Sequence, residues 1–557
     1  MGWVKESWIY RIILTVTLYG AYTGIKCLQY YWHMSYQTSQ RIPLSEKNWL
    51  FSGWMVDNVD NLDLAPHFSP YLRNCRSDWQ SIVQRPWHQL FATLTAGSYP
   101  KGIASYLRTS SANDRIIVRH NKDADEKLVS ITEAWVVTDI NTSTFIASDN
   151  RMSFLNIADV LYCMNWSDPF GKLSGTTYTQ PSTWVASFAP SFWLVFNGCT
   201  RASWWSSNPN KVYKSVANNY EDFASAWSDT FTFPEQITGL STTGQALFYF
   251  TPNTISVTGF NDIVDNAWSL TFNNRPLQTT EWAVCNASIV TAGTSVYYLT
   301  TSNAINKIVQ GQNVYWFEVV DMSERKYAGI GKIMSTLDRD QTDSFWYFMP
   351  VEMLIKRHLK SQWATFNDVC IVYDITKDIF LVDSQKYFYW ATYFKGKNYA
   401  ISMIEEKVYQ DEYSDDDEGS AIPFEYHTKE FYYGDPTIKK ILRESRTLLD
   451  MNELATPRQE IWIDWAAVDE KTLDSDNIVS ITGGIGTETV GEEAIGAGSF
   501  DDDFNETYIL RTKGNLNKKW RKIQWRFVNS VVWSKVRLKS INAKVEILDP
   551  LTTDLTS

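Results

Sequence analysis

The residues of this chain that could carry out acid–base, nucleophilic or metal chemistry are few and widely spaced. Neither the six histidines nor the six cysteines fall into a metal-ligand spacing such as H-E-x-x-H or Cys-x-x-Cys, and the cysteines indicate no disulfide framework. The G-x-S-x-G elbow of serine hydrolases and the phosphate-binding loop of NTPases are also absent from the sequence. We therefore predict a protein that is not an enzyme, with no catalytic, cofactor-binding or metal residue. The histidines are His33, His67, His88, His120, His358 and His427, and the cysteines are Cys27, Cys75, Cys163, Cys199, Cys285 and Cys370.

Carboxylates are the remaining candidates for chemistry. Asp411 or Glu412 could pair with a second carboxylate for glycoside hydrolysis, but any chain with 63 acidic residues offers many such pairs. Both belong to the acidic run Asp411–Glu418, which together with Asp501–Asp503 lies beside glycine-bearing stretches and so predicts surface insertions. The first run lacks the fixed oxygen offsets of a calcium loop.

The charge balance argues against a protein that wraps nucleic acid. A formal net charge of −12 gives no basic surface from which DNA binding could release counterions. Two basic clusters late in the chain could meet phosphates, but local neutralisation of the acidic loops or contacts between subunits is the simpler interpretation. One cluster contains Lys439, Lys440, Arg443 and Arg446; the other contains Lys513, Lys518, Lys519, Arg521, Lys522, Arg526, Lys535, Arg537 and Lys539.

The elements that must position all these residues are mostly short strands. Apolar, β-branched and aromatic runs bounded by turn residues recur from about residue 110 onward. Helical periodicity is best in Val351–Lys360 and Pro436–Met451, and both stretches are short. The predicted strands include Arg115–His120, Ala246–Phe250, Thr254–Gly259, Ser295–Thr301, Val314–Val320, Cys370–Ile375 and Ile379–Asp383.

This pattern predicts a mainly β fold, a β-propeller of about six irregular blades with inserted loops. Open sheets leave edges that aggregate, and radial closure removes them. Ala246–Gly259 and Cys370–Asp383 each show two strands joined by a short polar turn, as in the inner hairpin of a blade. Multiple β-sandwich domains with similar hairpins are the alternative. We expect residues 1–33 as a hydrophobic extension, 34–110 packing on the propeller, 111–410 as blades, and 411–557 as final blades and closing strands.

The first 33 residues have three possible interpretations. Ile12–Ile25 is an apolar run of fourteen residues, shorter than the roughly 20 that a membrane-spanning helix needs. Lys5 precedes it as in a signal peptide, although no small-x-small cleavage site follows. A misassigned start is the third possibility, because Met34 opens a polar stretch typical of a soluble N-terminus.

Tryptophan is unusually abundant, with 25 residues against 26 glycines. Several stand where turns favour glycine, which reaches positive φ without a side-chain clash. Two explanations stay open. In one, the gene comes from a genome in which the UGA codon encodes glycine, so that translation with a different genetic code gives tryptophan; in the other, the chain is rich in aromatic residues that lie at interfaces. The sites are Ser52-Gly53-Trp54, Arg85-Pro86-Trp87, Asn165-Trp166 and Asp464-Trp465.

Between about residues 48 and 548, several segments resemble bacteriophage tail nozzle or stabilisation proteins of the podovirus type, also called tail tubular protein B-like. Phe51–Leu90 is similar to their opening segment, except that Trp54 and Trp87 stand where that family has glycine. Ile237–Gly259 is similar to a blade beginning Ile-Thr-Gly-Leu, and Lys407–Lys440 resembles a late segment with Tyr-Gln-Asp-Glu, Thr-Lys and Lys-Lys. Each motif is weakly specific, so their order carries the resemblance. Lys211–Ser225 and the closing strands of Ser534–Leu548 extend it.

The resemblance implies a structural virion protein, assembled in the host cytoplasm, that forms a homohexameric ring below the portal and adaptor. Such a ring continues the DNA channel, retains the genome until ejection, and contacts the tail adaptor and the tail fibres or spikes. Double-stranded DNA would pass transiently, and no small-molecule substrate or cofactor is implied. Two other classes stay open: a glycan-binding or glycan-cleaving propeller, and a membrane-anchored propeller that uses residues 8–32.

Overall fold

The computed structural model describes residues 45–50, 55 and, with gaps, 69–547; the longest internal gaps are 141–149, 181–188 and 481–505. The predictions for residues 1–33, for His33 and His67, and for Asp501–Asp503 therefore lie outside the described residues. Five strands precede the repeating part of the chain: β1 (Ser45–Leu50), β2 (Tyr71–Arg73), β3 (Cys75–Asp78), β4 (Ser81–Gln84) and β5 (Trp87–Thr93).

Seven four-stranded antiparallel sheets within the described residues form the blades of a β-propeller. Blade 1 contains β6 (Pro100–Tyr106), β7 (Arg115–Lys122), β8 (Asp125–Ile131) and β9 (Val137–Ile140). Blade 2 contains β10 (Ser153–Ile157), β11 (Val160–Met164), β12 (Gly171–Ser174) and β13 (Thr177–Thr179). Blade 3 contains β14 (Phe192–Phe196), β15 (Cys199–Trp204), β16 (Asn208–Lys214) and β17 (Asp229–Thr232). Blade 4 contains β18 (Gly239–Thr242), β19 (Ala246–Phe250), β20 (Ile255–Gly259), an inserted hairpin of β21 (Ile263–Asn266) and β22 (Ser269–Phe272), and the outer strand β23 (Arg275–Pro276).

The remaining blades complete the ring. Blade 5 contains β24 (Ile289–Ala292), β25 (Ser295–Leu299), β26 (Ile305–Gln310) and β27 (Phe317–Asp321). Blade 6 contains β28 (Phe345–Met349), β29 (Leu354–Leu359), β30 (Val369–Asp374) and β31 (Ile379–Ser384). Blade 7 contains β32 (Phe388–Phe394), β33 (Lys397–Ser402) and β34 (Lys407–Ser414), with β5 as its outer strand. The inner strands contact one another in sequence, and β32 of blade 7 contacts β6 of blade 1. The predicted mainly β propeller fold is confirmed, with seven blades rather than about six.

Helix is almost absent from the described residues. One short helix, α1 (Gly331–Ser335), and two 3-10 turns, Ser111–Asn113 and Asn286–Ser288, lie in loops between strands. Both predicted helices are wrong. Val351–Lys360 contains β29, which pairs with β28 on one edge and β30 on the other and in which all six residues are buried. This tertiary environment overrides the local helix propensity.

The predicted hairpins exist but occupy other positions in their blades. Strands β19 and β20 pair as the second and third strands of blade 4, and β30 and β31 pair as the third and fourth strands of blade 6. Neither hairpin is the inner one. In blade 4 the innermost strand, β18, is less apolar than β19, so the most visible hairpin of that blade lies further out.

The chain after the blades does not form a final blade, in contrast to the expectation for residues 411–557. It forms two larger sheets with the N-terminal strands. The C-terminal strands are β35 (Phe424–His427), β36 (Lys440–Met451), β37 (Arg458–Ile463), β38 (Ala466–Thr472), β39 (Ile478–Ser480), β40 (Glu506–Lys513), β41 (Ile523–Asn529) and β42 (Val536–Ile547).

One of these sheets has seven strands, with β3, β4, β42, β36, β40 and β39 in order and β1 also paired with β42. The other has five strands, in the order β2, β35, β41, β37 and β38. Strand β36 covers most of the second predicted helix, Pro436–Met451, and pairs with β40 and β42 along its length. Pairing on both edges makes this stretch a central strand.

A single apolar core joins the two larger sheets to blades 6 and 7. Leu72 and Trp525, from the five-stranded sheet, share a core cluster with Leu538 of the seven-stranded sheet and with Phe345 and Phe388 of the blades. The N-terminal stretch expected to pack on the propeller is thus divided: β1, β3 and β4 enter one sheet, β2 enters the other, and β5 closes blade 7. The described strands before and after the blades are thus built into one unit with the last two blades.

Candidate functional site

The strongest concentration of ionisable side chains is a buried group of charged residues where the N-terminal strands meet blades 6 and 7. We call it the ion cluster; it contains Arg76, Arg85, Lys356, Asp383, Lys386, Asp411 and Glu412. Arg76 lies on β3, Arg85 follows β4, Lys356 lies on β29, Asp383 lies on β31, and Asp411 and Glu412 lie on β34. Four cations therefore surround three anions.

Each carboxylate of the ion cluster is in direct contact with cationic side chains. Arg76 donates two hydrogen bonds of 2.9 Å to the two carboxylate oxygens of Asp383, and its Nη2 lies 2.5 Å from Oε1 of Glu412. Lys356 Nζ lies 2.5 Å from Oδ2 of Asp411, and Lys386 Nζ lies 2.5 Å from Oδ1 of the same carboxylate. Lys356 also pairs with Glu412. Charge-assisted, bidentate contacts of this kind fix orientation as well as energy.

A further hydrogen bond and the pKa shifts keep Asp411 ionised. Tyr347 Oη donates to Asp411 Oδ2 at 2.6 Å. Burial alone would raise the pKa of Asp411, but the adjacent Lys356 and Lys386 ammonium groups outweigh it and hold that pKa well below its usual range. Glu412 behaves likewise: burial opposes ionisation, yet Arg76 and Lys356 lower its pKa.

This arrangement bears on the glycoside-hydrolysis alternative, which singled out Asp411 and Glu412. A general acid for that reaction needs a raised pKa and access to substrate, whereas both side chains are buried and their pKa values are lowered. The pair is also no surface insertion, since both residues lie within β34. Every carboxyl group in the described part of the chain with a shifted pKa is shifted downward: Asp159, Glu235, Asp338, Asp340, Asp383, Glu405, Asp411, Glu412 and Glu425.

Three of the four described histidines, His88, His358 and His427, pack against aromatic rings. His358 stacks on Phe345 with 4.7 Å between ring centroids, and burial lowers its pKa to about 3. His88 meets Tyr409 edge-on at 4.5 Å, and His427 lies 2.8 Å from Glu425. The described cysteines are all free thiols, and nowhere among the described residues do three His, Cys, Asp or Glu side chains gather in a metal-ligand arrangement.

Most described members of the two basic clusters are neutralised locally. Lys539 lies 2.6 Å from Asp450, and Lys522 lies 2.9 Å from Glu430. Arg526 stacks on the Trp462 ring at 3.6 Å from its centroid. The acids come from neighbouring strands rather than from the acidic runs. Lys518, Lys519 and Lys535 lie outside the described residues.

Arg151 connects blade 2 to blades 6 and 7. This residue precedes β10 of blade 2, yet its guanidinium donates to the backbone carbonyls of Asp343 and Ser344, just before β28 of blade 6. It also stacks over Tyr389 and Trp390 of blade 7, at 4.3 and 5.0 Å from their ring centroids. Arg151 therefore reaches past blade 1 to blades that are not sequence neighbours of its own.

A second buried cation lies on the opposite face of β29 from Lys356. Arg357 is fully buried, and its three guanidinium nitrogens have no hydrogen-bond partner among the described residues. Trp346, Phe380 and Tyr373 surround it, at 4.5, 5.4 and 5.6 Å from their ring centroids. Burial lowers the pKa of Arg357 to about 9. Aromatic faces, rather than an anion, offset part of its desolvation.

The helices of the described segments are too short or too polar to cross a membrane.

No protein-family model matches this chain, and no curated protein matches it. Among solved structures, it is similar to YCF48 bound to a D1 peptide, with 10% sequence identity and a TM-score of 0.38, over 59% of this chain and 96% of that one. It is also similar to the extracellular domain of a one component system, BT4673 from B. thetaiotaomicron, with 11% identity and a TM-score of 0.40. That match covers 60% of this chain and 41% of the other, so it spans less than half of the second structure. At these scores neither similarity bears on function.

The sequence alone did not reveal the ion cluster. Its members come from positions 76 to 412, and Lys356 stood inside a stretch interpreted as a helix. The one available signal was the presence of charged residues inside apolar runs, as in Leu354–Leu359, because a charge within a buried strand requires a partner.

Proposed function

We propose that this chain is a structural subunit of a phage tail, forming the nozzle ring below portal and adaptor. One observation carries the proposal: segments that resemble that family, although distant in sequence, meet in one structural unit. Tyr71–Arg73 from the opening segment pairs with Phe424–His427 from the late segment. Trp87–Thr93 pairs with Lys407–Ser414. A resemblance confined to unrelated surface stretches would have no reason to converge.

Side-chain contacts strengthen the same junction. Ser69 Oγ donates to the carbonyl of His427 at 2.6 Å, and the Asn74 side-chain amide donates to the carbonyl of Pro423 at 2.7 Å. The Arg76 contacts with Asp383 and Glu412 add charge-assisted bonds that are largely shielded from water. A subunit whose strands before and after the blades are fastened to those blades suits a component that must withstand the pressure of packaged DNA.

In such an assembly the DNA path would run between subunits, along the symmetry axis of the ring. A net charge of −12 suits a lumen along which DNA slides without sticking. Ring closure requires heterologous contacts between neighbouring subunits.

Electron microscopy of the purified full-length chain tests the proposal. We expect sixfold rings with an open axial pore, and antibodies against the chain should label the tail end of phage particles. A monomer at all concentrations, combined with the absence of the chain from purified virions by mass spectrometry, would overturn it. A form starting at Met34 is the control: equal assembly by both forms, neither in the membrane fraction, is expected, whereas membrane recovery of the full-length form alone would support the anchored alternative.

A further inference from the structure

We infer that the native protein carries glycine at positions 135, 166 and 363, where UGA codons have been read as tryptophan. The inference is independent of the proposed function. It rests on the backbone at Trp135, Trp166 and Trp363, whose φ angles are 66°, 57° and 75°. L-residues rarely adopt this region, because Cβ approaches the backbone carbonyl, and glycine is free of that clash.

Trp363 occupies a defined glycine position in a turn. The Ala364 N–H donates to the Ser361 carbonyl at 3.1 Å, so residues 361–364 form a β-turn with Trp363 as its third residue. The third residue of a type II turn requires positive φ near +80° and is therefore usually glycine. The described residues leave 91% of Trp363 exposed, so its indole gains little from packing against them.

Trp135 occupies a different glycine position. The Thr132 N–H donates to the Val136 carbonyl, and the Trp135 N–H donates to the Thr132 carbonyl. Residues 133–135 therefore form the three-residue loop of a hairpin between β8 and β9, and such loops place glycine at the third, left-handed position. The indole approaches Phe91, with 5.7 Å between ring centroids, yet the residue remains 53% exposed.

Trp166 is the middle residue of a tight turn. The Ser167 N–H donates to the Asn165 carbonyl at 2.8 Å, which closes a three-residue turn around Trp166. Three-residue turns with positive φ at the centre are rare and strained for residues with a side chain. Asn-Gly is a common turn sequence, and in this turn tryptophan follows the asparagine in the place of that glycine.

The distribution of residue types at positive φ supports the same conclusion. Of fourteen such non-glycine residues in the described part of the chain, six are asparagine or aspartate, which tolerate this region, and tryptophan follows with three. Asp464 is one of the six, with φ of 45°.

Other tryptophans fit their sites as tryptophan and serve as internal controls. Trp525 is fully buried and meets Phe431 edge-on, with 5.7 Å between ring centroids. Trp193 packs against Phe170 at 5.0 Å, and Trp346 lies under the Arg357 guanidinium at 4.5 Å. The chain therefore contains two populations of this residue, which a genome using UGG for tryptophan and UGA for glycine would produce.

Peptide mass spectrometry of the protein from its native source, with the codons of its gene, tests the inference. We expect glycine and UGA at positions 135, 166 and 363, and tryptophan and UGG at positions 193, 346 and 525. The two groups differ in peptide mass by the difference between the two residues, so each position is decided separately. Tryptophan in the native peptides covering 166 and 363, or the same codon at all six positions, would overturn it.

Discussion

Lys356 and Asp411 form an ion pair, with 2.5 Å between Nζ and Oδ2, in which both side chains are completely shielded from solvent. The pair joins the second strand of blade 6 to the third strand of blade 7. Through Glu412, which also contacts Arg76, it reaches the N-terminal hairpin. Three parts of the chain that are far apart in sequence thus depend on one group of charges.

Substituting Lys356 by methionine should destabilise the protein by about 3–5 kcal/mol, because it removes the ammonium group that contacts both Asp411 and Glu412 and leaves these buried carboxylates without that partner. Urea or thermal unfolding of wild type and variant measures the difference. Lys172→Met is the control: it removes a partly exposed pair with Glu221 and should cost about 1 kcal/mol or less. Equal losses of unfolding free energy for both variants would show that the buried pair stabilises the protein no more than the partly exposed pair does.

The adjacent residue should behave in the opposite way. Arg357→Met removes a buried cation that has aromatic neighbours but no anion, so the free energy of unfolding should stay unchanged or rise by up to about 3 kcal/mol. The same unfolding experiment measures it, with Lys356→Met as the matched neighbour on the other face of β29. A loss of more than about 1 kcal/mol would mean that the aromatic contacts of Arg357 outweigh its desolvation.

His358 should make the protein sensitive to mild acid. Burial lowers its folded-state pKa from the ordinary 6.5 to about 3, so the unfolded chain binds a proton that the folded chain does not bind in this interval. The contribution of His358 to the free energy of unfolding is therefore fully present above about pH 6.5. It is lost as the pH falls, by about 2 kcal/mol between pH 7 and pH 5.

His358→Gln should remove that loss, as measured by urea unfolding at pH 7 and pH 5. In wild type, the ring proton resonances of His358 should not titrate above about pH 4 by NMR. Titration near pH 6.5 in the folded protein would contradict the prediction. Below about pH 4.5 the ion-cluster carboxylates, whose folded pKa values are lowered, also lose their contribution, so the comparison stays above that range.

Trp363→Gly in a recombinant tryptophan-containing protein should raise the free energy of unfolding by about 1 kcal/mol, because the strain of a left-handed side-chain residue exceeds the entropy that glycine adds to the unfolded chain. Thermal unfolding measures the gain. Trp525→Gly is the control and should lose at least about 3–5 kcal/mol through the cavity it opens. Destabilisation of both variants would argue for a stabilising role of the exposed indole.

The sequence predicted the repeating part of the fold better than its ends. Runs such as Ala246–Phe250 and Ile379–Asp383 lie in observed strands, because a strand covered on both faces reads as an apolar run. Lys440–Met451 was predicted as part of a helix, because its partners β40 and β42 lie more than 50 residues away and local propensity carries no information about them. The bridge by Arg151 and the ion cluster were hidden for the same reason.

Strand β5 has one further consequence, for biosynthesis. Blade 7 is complete only when Trp87–Thr93 pairs with Lys407–Ser414, made more than 300 residues later, and β4 must still wait for Val536–Ile547. A ribosome-bound chain would thus carry an open, incomplete disc with unpaired edges until these later strands have been made.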